Sequence, residues 1–169
     1  MAKRDNHYEA AFEAFLRGRG VPYVAVDETK RSLLGSESIK NLDFIVSAAD
    51  GRRWLVDVKG RLFPSVSRGG KHYWKNWSTR DDLKSLTRWE RLFGDGFQAL
   101  FVFAYQVVGE RAPLPRARLF SYRDRLYGFL AIRLQQYLES ARVISPKWDT
   151  VAMPTPGFRE SAQALDELF

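Results

Sequence analysis

One stretch decides the fold, residues 41–59, which is NLDFIVSAADGRRWLVDVK. Two apolar runs in it, 42–47 and 53–59, have the length of β-strands and are rich in branched and aromatic residues. Asp50-Gly51 between them is a strong turn signal, because both residues tolerate the left-handed backbone that hairpin turns need. The stretch therefore predicts an antiparallel β-hairpin.

Charged side chains interrupt this predicted hairpin at Asp43, Asp57 and Lys59. Side chains alternate faces along a strand, so Asp57 and Lys59 share one face, and Asp43 on the partner strand can share it. Two converging carboxylates make a hard oxygen site that suits Mg²⁺. A lysine beside them can orient or deprotonate a water, or stabilise charge on a phosphate. The alternative is structural: Asp43 forms a salt bridge with Lys59, and Asp57 is a polar strand end.

A short motif, acid-x-Lys, occurs at three places in the chain, and its context selects one of them. Glu28-Thr29-Lys30 lies in a polar loop. Asp82-Leu83-Lys84 lies on a predicted helix, 79–93, where residues two apart point in different directions. Asp57-Val58-Lys59 alone ends an apolar strand whose partner strand also carries an acid. The motif therefore favours a catalytic site at this third position.

The two segments 41–46 and 54–59, which follow a helix with an early glutamate, resemble the PD-(D/E)xK nuclease superfamily. Within it the chain is most similar to small nuclease domains of the archaeal Holliday-junction-resolvase type. Leu42 stands where the superfamily name has Pro, a position that varies among its members. The resemblance implies the restriction-endonuclease-like α/β fold, in which helices flank a mixed central β-sheet.

The same resemblance implies the roles of the site residues. Asp43 and Asp57 would bind Mg²⁺ or Mn²⁺, and the backbone carbonyl of Val58 is a further candidate ligand. Lys59 would be the catalytic lysine.

The predicted first helix, residues 7–19, carries a single apolar face and two acids, Glu9 and Glu13. Glu9 lies at the edge of the apolar face, whereas Glu13 is turned further toward solvent. A site residue at a core boundary fits Glu9, which we add to the predicted catalytic residues and metal ligands. Glu13 is expected to be an exposed acid paired with Arg17 or Arg19.

The charge distribution indicates a polyanionic partner. The chain has a net charge of +7, and residues 51–93 alone carry eleven Lys or Arg against four acids. An excess of positive charge around a candidate active site is typical of a phosphate-backbone footprint, although a solvated basic face is the simpler alternative. We therefore predict nucleic acid, and DNA in particular, as the partner.

Residues 60–77 contain Pro and Gly and are predicted to form a long loop. Basic residues alternate there with aromatic ones, a pattern that suits phosphate contact and base stacking. For Trp74 and Trp77 a role as core anchors stays open, and Trp148, further along the chain, is expected to be a packing residue. The predicted nucleic-acid-binding residues are Arg61, Arg68, Lys71, Tyr73, Trp74, Lys75 and Trp77.

The organisation expected is one nuclease-like domain over residues 1–169. Its core with the motifs would be residues 1–108, including a buried strand at 97–108. Residues 109–169 would add further strands and a C-terminal helix at 158–169. No apolar run approaches the length of about 20 residues that a membrane span needs, and the N-terminus is polar, so a cytoplasmic protein is expected. Cysteine is absent, which excludes thiolate chemistry. The protein could form a homodimer, and the sequence leaves this open.

These observations predict a Mg²⁺-dependent nuclease that hydrolyses phosphodiester bonds in DNA. Two alternatives remain. One is a nucleic-acid-binding module that has the same fold without the chemistry. The other is a structural protein of an unrelated α/β fold with an incidental acid-x-Lys.

Overall fold

The computed structural model describes residues 6–27 and 29–169. Within these residues lie four α-helices and fourteen β-strands. The helices are α1 (His7–Gly18), α2 (Arg80–Phe93), α3 (Leu134–Ser140) and α4 (Thr155–Ser161). The strands are β1 (Tyr23–Ala25), β2 (Arg31–Leu34), β3 (Glu37–Lys40), β4 (Phe44–Ser47), β5 (Arg53–Phe63), β6 (Ser65–Ser67), β7 (Gly70–His72), β8 (Ser78–Thr79), β9 (Phe97–Val107), β10 (Phe120–Tyr122), β11 (Arg125–Arg133), β12 (Arg142–Ser145), β13 (Thr150–Ala152) and β14 (Gln163–Ala164).

The central sheet is mixed. Its strand order is β1-β4-β5-β9-β11-β10, and β14 also pairs with β11. β5 and β9 are parallel, with α2 in the crossover between them, whereas β4–β5 and β9–β11 are antiparallel. This arrangement confirms the predicted α/β fold, and β10, β11 and β14 bring the last third of the chain into the same sheet.

The predicted hairpin is present as β4 and β5. Phe44 lies opposite Val56, and Val46 lies opposite Trp54. All four side chains are buried, which fixes the register, because a slip by one residue would turn each of them to the other face.

The sheet has an apolar core on each face, because side chains alternate along its central strands. Val56 and Val102 pack with Phe12 of α1 on one face. Leu55 and Phe101 belong to the other core, which α2 and α3 cover. By the same alternation Asp57 and Lys59 follow Leu55 onto the α2 side.

Helix α1 is fixed at its start by two contacts. The side chain of Asn6 accepts a hydrogen bond from the Tyr8 N–H and caps the helix. The Tyr8 ring lies over the backbone of Gly60, where a Cβ atom would stand 2.1 Å from Tyr8 Cδ2. Only glycine permits this approach, which holds the first turn of α1 next to the strand that carries Lys59.

Residues 60–77 do not form the long loop that was expected. β5 continues to Phe63, where it still pairs with Val107, and β6 and β7 form a hairpin within the remaining segment. The physical reason is β9, whose eleven apolar-rich residues offer backbone partners along the whole length of β5.

The expected C-terminal helix at 158–169 is also wrong. Helix α4 begins earlier, with Pro156 in its first turn, and ends at Ser161. Ala164 then pairs with Leu130 on the edge of β11 that β10 leaves open. A short 3₁₀ turn, Leu165–Glu167, follows. None of the helices within residues 6–27 and 29–169 has the length and hydropathy to cross a membrane.

Candidate active site

The register of the hairpin brings Asp43, the residue before β4, next to Asp57 of β5. The Asp43 N–H donates to the Val56 carbonyl at 2.9 Å, so the β4–β5 pairing begins at Asp43 and continues through Phe44 opposite Val56. Asp43 Oδ2 accepts the Val58 N–H at 2.6 Å. The expected pairing of the two acid-bearing segments is therefore confirmed.

Asp43 is a buried acid in an unfavourable electrostatic setting. Its side chain is 6% exposed. Burial, followed by the nearby carboxylates of Asp57 and Glu9, raises the pKa of Asp43 well above its ordinary value. The Val58 N–H and Lys59 act in the opposite direction without cancelling the shift. Asp43 therefore holds its negative charge only at a cost in folding free energy, or with help from a cation.

Lys59 bridges two carboxylates. Its Nζ lies 2.9 Å from Asp57 Oδ1 and 3.0 Å from Asp82 Oδ2. Burial alone would lower the pKa of Lys59, but Asp57 and Asp82 together raise it above its ordinary value. Burial still raises the pKa of Asp57 although Lys59 touches it. The structural alternative, a salt bridge between Asp43 and Lys59, is not formed, because the ammonium group contacts Asp57 and Asp82.

Asp82 is the site residue that sequence reasoning missed. It stands in the first turn of α2, where it forms a capping box with Thr79. Its carboxylate also accepts from Ser78 Oγ at 3.1 Å and pairs with Lys40 Nζ at 2.8 Å. Burial opposes ionisation, but Lys59 and the Lys40 hydrogen bond hold the pKa of Asp82 well below its usual range. Asp82 is thus a fully engaged anion that ties α2 to the motif strand.

Asp82 belongs to one of the two acid-x-Lys copies that were set aside. Asp82-Leu83-Lys84 lies on a helix as expected, yet Asp82 contacts Lys59 from the helix α2 that covers this face of the sheet. The capping pattern Thr79-x-x-Asp82 can be recognised in the sequence and predicts the helix start. It carries no signal for the contact with Lys59. Glu28, the acid of the other copy, lies outside the described residues.

The two acids of α1 differ in burial and in partners, although Glu13, which was expected to be exposed, is half-buried. Glu9 is 5% exposed and accepts a hydrogen bond from Asn6 Nδ2 at 2.7 Å. Glu13 accepts from the Tyr23 hydroxyl at 2.8 Å and pairs with Arg17 at 3.1 Å. Glu9 therefore lies at the core boundary, close enough to influence Asp43, whereas Glu13 belongs to a separate ion pair.

The donor set at Asp43 and Asp57 fits a hard divalent cation. Asp43 is buried and Asp57 is half-buried, burial raises the pKa of both carboxyl groups, and a cation bound by both would relieve the repulsion by Asp57 that further raises the pKa of Asp43. Among residues 6–27 and 29–169, no three Asp, Glu, His or Cys side chains are gathered as ligands of one ion. Metal binding by Asp43, Asp57, Glu9 and the carbonyl of Val58 therefore stays a prediction.

The predicted nucleic-acid-binding residues divide into two groups. Tyr73 and Trp74 pack their rings against Phe63 at centroid distances of 5.1 and 5.0 Å and belong to the edge of the core. The guanidinium of Arg61 lies 4.0 Å from the centre of the partly exposed Trp77 ring and donates to the Trp77 carbonyl. Of the others, Arg68 and Lys71 are exposed on the β6–β7 hairpin, and Lys75 is half-buried.

The order and pairing of the elements define the class of fold. A mixed sheet with the parallel pair β5–β9 at its centre, α1 on one face and α2 and α3 on the other, is the restriction-endonuclease-like fold. The chain is similar to the solved structure of Hjc, a Holliday junction resolvase from the archaeal hyperthermophile Archaeoglobus fulgidus. The TM-score is 0.54 at 12% sequence identity, and the match covers 96% of this chain and 97% of that chain. At this identity the likeness shows the fold. No family model and no curated protein sequence matches the chain.

Proposed function

We propose that this protein is a Mg²⁺- or Mn²⁺-dependent nuclease that hydrolyses phosphodiester bonds in DNA. One observation carries the proposal: the buried carboxyl group of Asp43 lies close enough to the half-buried carboxylate of Asp57 to be repelled by it, and Asp57 in turn contacts Lys59. Neighbouring buried carboxylates destabilise a fold unless a cation joins them, and strongly perturbed acids cluster at functional sites. The likeness in fold to a Holliday junction resolvase supports the same class of reaction.

The chain's own residues divide the work as follows. Asp43 and Asp57 would hold the metal ion, with the carbonyl of Val58 and Glu9 as further candidate ligands. When bound, the ion would polarise the phosphate and lower the pKa of an attacking water. Lys59, held as an ammonium by Asp57 and Asp82, favours charge stabilisation on the phosphate over deprotonation of a water. Asp82 acts through Lys59 and is a positioning residue.

The basic surface would supply affinity for DNA. Arg68 and Lys71 on the β6–β7 hairpin project into solvent, where they can contact phosphates. Arg61, stacked on Trp77, presents a fixed positive charge on the face of β5 that also bears Asp57. A homodimer and a single domain spanning residues 1–169 stay predictions.

A second candidate function is a nucleic-acid-binding module of the same fold without catalysis. One observation favours it: Lys59 Nζ lies within 2.9 Å of Asp57 Oδ1 and 3.2 Å of Oδ2, so the ammonium group competes for both oxygens that a metal would use. Such a module would bind DNA equally well with Asp57 or with Asn at that position, and would never cleave it.

A cleavage assay with one matched pair of variants separates the two. Asp57→Asn removes a charge next to Lys59, whereas Asp95→Asn removes one from an exposed turn. We expect Asp57→Asn to abolish Mg²⁺-dependent cleavage of duplex, single-stranded and four-way-junction DNA while binding stays intact or strengthens, because a negative charge near phosphate has gone. Asp95→Asn should cleave like the parent. Cleavage by Asp57→Asn, or by the parent in EDTA, would exclude the mechanism. Binding without cleavage in the parent supports the second candidate.

A further inference from the structure

The segment Arg142–Ala152 forms a β-hairpin, here called the tryptophan hairpin. Its first strand, β12, lies at the edge of the three-stranded sheet β12-β13-β8. Trp148, expected to be a packing residue, is 70% exposed at the turn, and Val143 and Ile144 are also exposed. An aromatic ring of that size in open solvent is uncommon and indicates a contact with another molecule.

A positive charge lies beside this ring. Lys147 Nζ lies 5.3 Å from the centre of the Trp148 ring. A second cation, Arg142, is exposed at the end of β12 that is farthest from the turn, opposite Ala152. The acid of the turn, Asp149, is paired with Arg80 at 3.2 Å, so the charge left at the tip is positive. A planar ring beside a cation matches the chemistry of a nucleobase and its phosphate.

The tryptophan hairpin is attached to the segment that leads into the candidate active site. Thr150 lies opposite Thr79, and Val151 lies opposite Ser78. The Asn76 side chain both accepts from the Met153 N–H at 2.8 Å and donates to the Met153 carbonyl at 3.1 Å. The hairpin is therefore fastened to β8.

Strand β8 connects the tryptophan hairpin to the candidate active site. It leads directly into α2, where Asp82 forms an ion pair with Lys59. Trp77, stacked under Arg61, stands at the other end of the same segment. Two exposed tryptophans with adjacent cations thus border one short strand next to the site.

We propose that the tryptophan hairpin binds nucleic acid, with Trp148 stacked on an unpaired base and Lys147 against the adjoining phosphate. The preferred substrate would then carry unpaired bases, as a single strand or a frayed end does, since a paired base presents no free face. A second copy of the chain is a poorer occupant, because a stable interface needs about 800 Å² on each partner and the exposed apolar surface here is three side chains. The proposal rests on the proposed function only for the class of partner.

The test measures binding without catalysis, in EDTA, to a single-stranded oligothymidine and to a blunt duplex of equal length. Trp148→Ala should weaken single-strand binding by about fivefold to a hundredfold, the effect of losing one stacked base, and leave duplex binding within about twofold. Trp148→Phe should restore most of the loss. Lys147→Ala should flatten the log–log salt dependence on the single strand by about 0.7. Leu33→Ala, at a residue 72% exposed on the β2–β3 hairpin, is the matched control and should change nothing.

Three results would overturn the inference: equal losses on single strand and duplex, equal effects of Trp148→Ala and Leu33→Ala, or dissociation of a dimer by Trp148→Ala in sedimentation. A melting temperature equal to that of the parent shows that the variant is folded, as the exposure of the ring predicts. If the parent binds these oligonucleotides but never cleaves DNA, the proposed nuclease activity is refuted, and the binding test of the tryptophan hairpin is unaffected. A parent that binds neither oligonucleotide defeats both.

Discussion

Asp82→Asn is the sharpest test of how the site is held together. The amide has the size of the carboxylate and can still accept the hydrogen bond from the Thr79 N–H, so the helix cap survives in part. In the parent, the ammonium groups of Lys59 and Lys40 lie 3.0 and 2.8 Å from the Asp82 carboxylate. The substitution removes the negative charge that holds both of them. The variant therefore isolates the ionic part of the link between α2 and β5.

The burial of the pair sets the magnitude. The Asp82 and Lys59 side chains are 8% and 16% exposed, so solvent screens their interaction only weakly. Removing one partner of a buried ion pair typically costs 3–5 kcal/mol, and we expect about 3 kcal/mol because Lys59 keeps Asp57 at 2.9 Å. In a domain of this size each kcal/mol corresponds to about 2–4 °C, so the melting temperature should fall by about 6–12 °C.

Urea unfolding at pH 7 measures this effect against Asp81→Asn as the control. Asp81 is the preceding residue, 44% exposed, with Arg31 at 3.2 Å. An exposed pair of this kind contributes less than about 1 kcal/mol. A loss in Asp82→Asn no larger than that in Asp81→Asn would refute the argument that Asp82 anchors Lys59. With equal m-values, the comparison is free of changes in the unfolded state.

The pH dependence gives a second reading of the same interaction. The pKa of Asp82 is lower in the folded state than in the unfolded chain, so its stabilising effect is fully present above the unfolded value of about 3.9. It is lost as the pH falls through the folded value. The stability difference between the parent and Asp82→Asn should therefore be constant near neutrality and shrink below about pH 4.

Two further predictions concern the other side of the site. Asp43→Asn should stabilise the metal-free protein at pH 7.5, since the pKa of Asp43 is raised in the folded state. This gain in stability should vanish as the pH falls below the pKa of an unfolded aspartate, about 3.9. Mg²⁺ should stabilise the parent more than the variant. Urea unfolding with and without Mg²⁺ measures this, and a destabilised metal-free variant at pH 7.5 would contradict it. Gly60→Ala should cost about 1–3 kcal/mol, because the new methyl group would lie 2.1 Å from the Tyr8 ring. Tyr8→Ala in the same chain should recover part of that loss in a double-mutant cycle, and purely additive losses would count against the contact.

Local patterns explain why the centre of the fold could be predicted from the sequence. The two strands of residues 44–47 and 53–63 follow each other closely, with Asp50-Gly51 between them, so their pairing needs no distant information. The alternation of buried residues fixes the register and hence brings Asp43 next to Asp57. The position of Glu9 at the boundary of the core was likewise predicted from the helical wheel of α1.

Long-range contacts explain what could not be predicted. Lys59 and Asp82 are brought together by the crossover through α2, and a helical acid gives no sign of the strand it will face. The extension of β5 to Phe63 depends on its distant parallel partner β9. The expectation that Trp148 packs in the core rested on residue type alone, and burial of a tryptophan depends on which neighbours the fold provides.

The charges of the site favour a cation in addition to Lys59. That single ammonium is shared between Asp57 and Asp82, at 2.9 and 3.0 Å. The pKa of Asp82 is lowered by Lys59 and by the Lys40 hydrogen bond, but the pKa values of Asp57 and Asp43 stay raised, so the charged form is favoured at only one of the three carboxylates. A structural salt bridge would need only Asp82 and Lys59, and an asparagine at position 43 could accept the Val58 N–H without any repulsion. Asp43 therefore lowers the stability of the metal-free fold, and the proposed divalent ion beside Asp57 would offset that cost.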